Sequence, residues 1–79
     1  MPPHAEPTPD IAYYDDGSVR YRGSQLGGEM HGEWTFLRRD GSVMRSGRFE
    51  QGRQVGLWKT YDRAGTVVKE TDFSKTGKR

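Results

Sequence analysis

The stretch HGEWTFLRRDGSV, residues 31–43, returns 24 positions later as VGLWKTYDRAGTV, residues 55–67. Each runs glycine, any residue, tryptophan, then places an apolar or aromatic residue three positions on. Each then closes on a glycine, a small hydroxyl residue and a valine. The same shift extends the match outward. Tyr13, Leu37 and Tyr61 fall together, as do Gly17, Gly41 and Gly65, the hydroxyls Ser18, Ser42 and Thr66, and Val19, Val43 and Val67. Gly23 meets Gly47, Gly28 meets Gly52, Gly32 meets Gly56, and Phe49 meets Phe73. A period of this length marks an array whose single unit cannot bury its own apolar face. The register has faults. Gln25 stands where Phe49 and Phe73 stand, and a bulge bringing Leu26 into place would repair it; Thr71 stands where Gly23 and Gly47 do.

The chain has 79 residues, the size of one small domain. Hydrophobic and charged residues each make up 30%, a composition near that of disordered chains, but nine aromatic residues (two Trp, four Tyr, three Phe) and regularly placed glycines argue for a fold. Without cysteine there is no disulfide or thiolate metal site. No apolar run approaches the roughly 18 residues that span a bilayer, and MPPHAEPTPD is not a signal peptide; the expectation is a cytoplasmic protein. All four prolines lie in the first nine residues. Residues 1–10 therefore read as a disordered Pro-rich arm, residues 11–73 as the repeat domain and residues 74–79 as a flexible basic tail.

Runs rich in β-formers are separated by turn residues. The expected strands are 11–14, 19–26, 32–38, 43–50, 56–61 and 67–73, connected by DDGS, GGEM, RDGS, QGRQ and RAGT. Asp-Gly between such runs signals a hairpin, because glycine takes the positive φ these turns need. No window combines helical spacing with caps. The fold class is all-β: an antiparallel meander of about six short strands in a single twisted repeat sheet. Glycine weakens a strand unless the space is required. Gly23, Gly47, Gly32 and Gly56 are accordingly expected to leave flat patches for aromatic rings, with Trp34 and Trp58 seated there beside Tyr21, Phe49 and Phe73.

The pattern in GEWTFLRRDG, GRFEQGRQVGLWKTYDRAG and the weaker YYDDG resembles the MORN-repeat family, closest to the bacterial MORN-variant group labelled YwqK-type antitoxins. The resemblance covers about Tyr13 to Phe73. It implies an interaction module: some members associate with phospholipids, others scaffold proteins, and bacterial variants include proposed toxin partners.

Searches for chemistry find little. Five serines and two histidines offer no triad context. Glu29, His31 and Glu33 could share a strand face as metal ligands, but that spacing is also that of a polar outer face, and GSQLGGEMHG lacks the lysine of a phosphate loop. No enzyme activity, metal or cofactor is expected. The expected function is a protein-binding module, antitoxin-like or self-associating as a homodimer, with Trp34, Phe36, Trp58 and Tyr61 anchoring the sheet and Arg38, Arg48 and Lys59 making contacts. The alternative is an anionic-surface binder using its Arg/Lys face on lipid or nucleic-acid phosphate. Nucleic acid is disfavoured because bases alternate with acids, and a membrane surface is weakened by the small number of copies.

Overall fold

A computed structural model describes residues 6–73. The chain folds into six strands, β1 (Thr8–Tyr13), β2 (Val19–Leu26), β3 (Glu29–Leu37), β4 (Val43–Glu50), β5 (Arg53–Tyr61) and β6 (Val67–Asp72). They lie in sequence order in one antiparallel sheet, with β1 and β6 at its open edges. The meander expected from the repeat is thus the fold, and no α-helix occurs among the described residues. The molecule measures 44 × 38 × 13 Å, and its radius of gyration is 14.3 Å, against about 11 Å for a compact globule of this size. A single layer explains the difference.

Two kinds of turn alternate along the sheet. At one end, Gly17 N–H donates to Tyr14 O and Tyr14 N–H to Ser18 O; residues 38–42 and 62–66 repeat the pattern. This is the three-residue hairpin loop that closes on a glycine with positive φ. At the other end, Gly27–Gly28 and Gln51–Gly52 make two-residue turns with positive φ at both positions. Because these turns are so short, β3 begins at Glu29 rather than Gly32, and β5 at Arg53 rather than Gly56. At the N-terminal edge β1 reaches back to Thr8, pairing Thr8, Pro9 and Asp10 with Gln25, Ser24 and Gly23; proline is tolerated there because an edge strand leaves one side of its backbone unpaired. The rest of the proposed arm up to residue 5, and the basic tail, lie outside the described residues.

Among the described residues Trp34 and Trp58 are the most deeply buried aromatic side chains, 1% and 4% exposed, although no second layer covers the sheet there. Each lies flat on a glycine of the preceding strand. A Cβ on Gly23 would stand 2.2 Å from the Trp34 ring, and one on Gly47 would stand 2.1 Å from the Trp58 ring. The indole N–H groups donate to Ser24 O at 3.0 Å and Arg48 O at 3.1 Å, so the rings hide no unpaired polar atom. Tyr21, Phe36 and Phe49 close over them, with centroids 5.2–6.2 Å apart.

Only half of the glycine expectation holds. Gly32 and Gly56 seat no ring, since a Cβ on either would meet nothing within 4 Å. They are needed for their positive φ, 79° and 72°. Each lies where the ladder slips: Arg22 pairs with Thr35 but Ser24 with His31, and Ser46 pairs with Lys59 but Arg48 with Val55. This irregularity lets the strand carry its tryptophan back over the neighbour's bare backbone.

The array ends are built differently. Asp10 occupies the tryptophan position of its unit, and Gln25 the phenylalanine position. Gln25 Nε2 donates to Asp10 Oδ2 at 2.6 Å, where the next unit has the Trp34–Phe49 edge contact. Gln25 therefore stays in register and Leu26 does not replace it by a bulge; Gln25 pairs with Met30 and Leu26 with Glu29 in unbroken order. At the far end Thr71, paired with Trp58, occupies the seat glycine's place.

Candidate interaction surface

Strand alternation and register assign the side chains to two faces. The ring face carries the row Ala12, Tyr21, Phe36, Arg45, Thr60, Lys69, each residue paired with the next. The opposite, polar face carries the row Ile11, Arg22, Thr35, Ser46, Lys59, Glu70, paired in the same way.

The proposed contact and anchor residues separate onto these faces. Trp34, Phe36 and Trp58 belong to the ring face, where both indoles are buried and cannot touch a partner directly. Arg48, Lys59 and Tyr61 come together on the polar face, around a shallow hollow of about 360 Å³ that Glu33, Thr35 and Leu57 also line. Arg38 is not a free contact residue. Its guanidinium donates to Tyr61 O at 2.6 Å, Val43 O at 3.1 Å and Ser42 Oγ at 3.2 Å, tying one hairpin to the end of the next unit. Sequence reading places Arg38 among the contact residues, but three acceptors in reach engage its guanidinium.

The Arg38 bond has a counterpart. Tyr14, 24 positions earlier, donates its hydroxyl to Leu37 O at 2.8 Å, and Leu37 is the equivalent of Tyr61. Two unlike side chains make the same inter-unit bond. The hairpin tips are linked too: Arg39 pairs with Asp15 at 2.6 Å and Asp16 at 3.8 Å, and Arg63 with Asp40 at 3.4 Å. These pairs are solvent-exposed and screened by water and salt, so they add little to stability. Asp16 and Asp40 have lowered pKa values, first because Ser18 and Ser42 donate their hydroxyls to the carboxylates, then through the backbone N–H of the same serines.

Among the described residues no group of three or more His, Asp or Glu could hold a metal ion, and no helix is long and apolar enough to cross a membrane. Exposed apolar surface is concentrated on the outer strands and beside them. Ile11 and Tyr13 lie on β1, Val67 and Val68 on β6, and Leu57 on β5 next to it, all at least 38% exposed. Every residue of β6 before Asp72 is exposed. Sequence reading missed this localisation, and it missed the inter-unit bonds. The 24-residue register carried a signal for the bonds, because it superimposes Tyr14 on Arg38.

No protein-family model matches the chain, and neither does any curated protein or solved structure.

Proposed function

We propose that this protein is a non-enzymatic interaction module of MORN-like type, which receives an extended segment of a partner protein along β6. The observation that carries this reading is the edge itself: among the described residues no strand pairs with the outer side of β6, whose residues 67–71 are exposed, include two adjacent valines and contain no proline. Its outer backbone row offers donors and acceptors to an incoming strand, and β-strand addition draws its affinity from that row. The other edge is guarded by Pro9 and by Asp10, a carboxylate turned onto the ring face, and both devices discourage pairing. A head-to-tail copy would have to present this guarded strand to β6. A separate protein partner, of which a toxin encoded beside this chain is one example, therefore fits the edge better than polymerisation does.

The test is native mass measurement across a range of concentrations, alone and with the product of a neighbouring gene, with amide exchange read strand by strand. Binding should slow exchange in β6, and Val68→Lys should abolish it without lowering the melting temperature. A monomer throughout, with β6 exchange unchanged by the added protein, would refute the reading. A dimer lost in Val68→Lys would assign the edge to self-association instead.

A further inference from the structure

On the ring face, the hairpin loops that follow β1 and β3, with strands β2–β4, enclose a hollow of about 580 Å³ lined by Tyr14, Arg20, Tyr21, Phe36, Arg39 and Met44. That volume lies within the roughly 300–1,000 Å³ of small-ligand sites. Rings and a thioether provide the apolar part. Arg20 and Arg39 provide the polar part, and their guanidinium carbons lie 6.0 and 4.7 Å from the centre of the Tyr14 ring. Arg45 adds a third guanidinium 5.1 Å from the Phe36 ring. Among the described residues no carboxylate lines the hollow. Asp15 and Asp16 hold Arg39 from outside, through contacts in which the arginine side chain is still 57% exposed. Bases and acids alternate in the sequence, but here folding sorts them, bringing residues 20, 39 and 45 around one patch.

Comparison within the chain shows that the fold does not require these rings. Twenty-four positions on, the six lining residues become Arg38, Met44, Arg45, Thr60, Arg63 and Val68. The structural tasks are nevertheless fulfilled. Arg38 makes the carbonyl bond that Tyr14 makes, and Arg45 covers Trp58 at 5.7 Å as Tyr21 covers Trp34 at 5.5 Å. Three aromatic rings are thus gathered at one unit, where the equivalent unit packs without them.

We propose that this hollow binds a nucleoside phosphate, with the base against Tyr21 and Phe36 and the phosphate between Arg20 and Arg39. Aromatic platforms flanked by cations bind bases and phosphates in this way. The ligand is either a free nucleotide or one nucleotide of a single strand, whose next phosphate would meet Arg45. The site lies on the ring face, away from the outer rim of β6, and does not depend on the protein-binding reading.

The experiment is fluorescence polarisation of a labelled single strand of about eight nucleotides, at low salt, with AMP, inorganic polyphosphate and anionic phosphatidylserine vesicles as competitors. The decisive variant is Tyr21→Arg, which installs the residue the next unit uses and adds a positive charge. Stacking predicts affinity lower by about tenfold, whereas attraction by charge alone predicts a rise. Arg20→Met, also borrowed from the next unit, should weaken binding. Thermal melts verify that both variants fold. Competition by AMP assigns the site to free nucleotides, and binding of the strand without AMP competition assigns it to single strands. Tighter binding by Tyr21→Arg, full displacement by polyphosphate or vesicles but not by AMP, or no binding of either nucleotide form at about 1 mM overturns the proposal.

Discussion

Replacing Gly47 with alanine places a methyl group 2.1 Å from Cδ2, 2.2 Å from Cε2 and 2.5 Å from Cγ of Trp58. Ordinary contact begins at 3.4 Å, so the ring must retreat by at least 1.3 Å (3.4 − 2.1), and the atoms in the way are a rigid indole rather than a flexible chain end. Retreat stretches the Nε1 bond to Arg48 O, now 3.1 Å, and opens the contact with Phe49, now 5.2 Å between centroids. Overpacking costs about 1–3 kcal/mol, and loss of the hydrogen bond about 1 more. A total of about 2–4 kcal/mol is a large share of the roughly 4–12 kcal/mol available to a domain of this length, and at about 4–8 °C per kcal/mol it lowers the melting temperature by at least ~8 °C. Gly56→Ala is the matched control. It meets nothing within 4 Å but must hold a φ of 72°, for about 1–2 kcal/mol. Both variants are to be followed by thermal melting and tryptophan emission. Gly47→Ala should shift emission to longer wavelength as the indole meets water, and Gly56→Ala should melt earlier with emission unchanged. A Gly47→Ala protein with wild-type melting temperature and emission would show that the glycine is not a seat.

Arg38→Met should cost about 1.5–3 kcal/mol in urea unfolding, because it removes a charged donor from part-buried carbonyls; Tyr14→Phe removes a neutral donor from the equivalent carbonyl and should cost about 1 kcal/mol. Gln51 holds a positive φ of 52° in a two-residue turn, so Gln51→Asn, which tolerates that conformation better, should raise stability in the same assay. Asp16 and Asp40 ionise below the ordinary value of 3.8 when folded. Their contribution is therefore present above pH 3.8 and is lost as pH falls through the lower folded values. Carboxyl NMR titration should show Asp16 moving back toward 3.8 in Ser18→Ala, with Asp40 unmoved.

The 24-residue register made the meander, the strand count and the burial of both tryptophans readable, because turn glycines and large rings recur wherever each unit must do the same thing. It could not separate Gly23 from Gly32. Both interrupt a strand, yet one is there for lack of a side chain and the other for its φ, and a letter code records both as glycine. Strand starts were misplaced for a related reason: GGEM and QGRQ look like four-residue connections, but two positive φ values in succession complete the reversal in half that length. Residue type alone does not distinguish Arg38 from Arg48, and the register's superposition of Arg38 on Tyr14 does not reveal which acceptors either side chain meets. Only the placement of Val43 and Tyr61 carbonyls beside one of them makes it a structural tie. The ring-face hollow was hidden because its residues come from two hairpin loops and three strands, far apart in sequence.

The substitutions at the two ends of the array fix how such a protein can change in size. An internal block of 24 residues, copied in tandem within the gene, would arrive with its own indole and its own bare-backbone seat, and the sheet could lengthen without disturbing either margin. Molecules joining end to end gain nothing comparable, since one margin offers a carboxylate in place of an indole and the other a threonine in place of the seat. Growth by duplication is open to this architecture, while growth into filaments is discouraged from both sides.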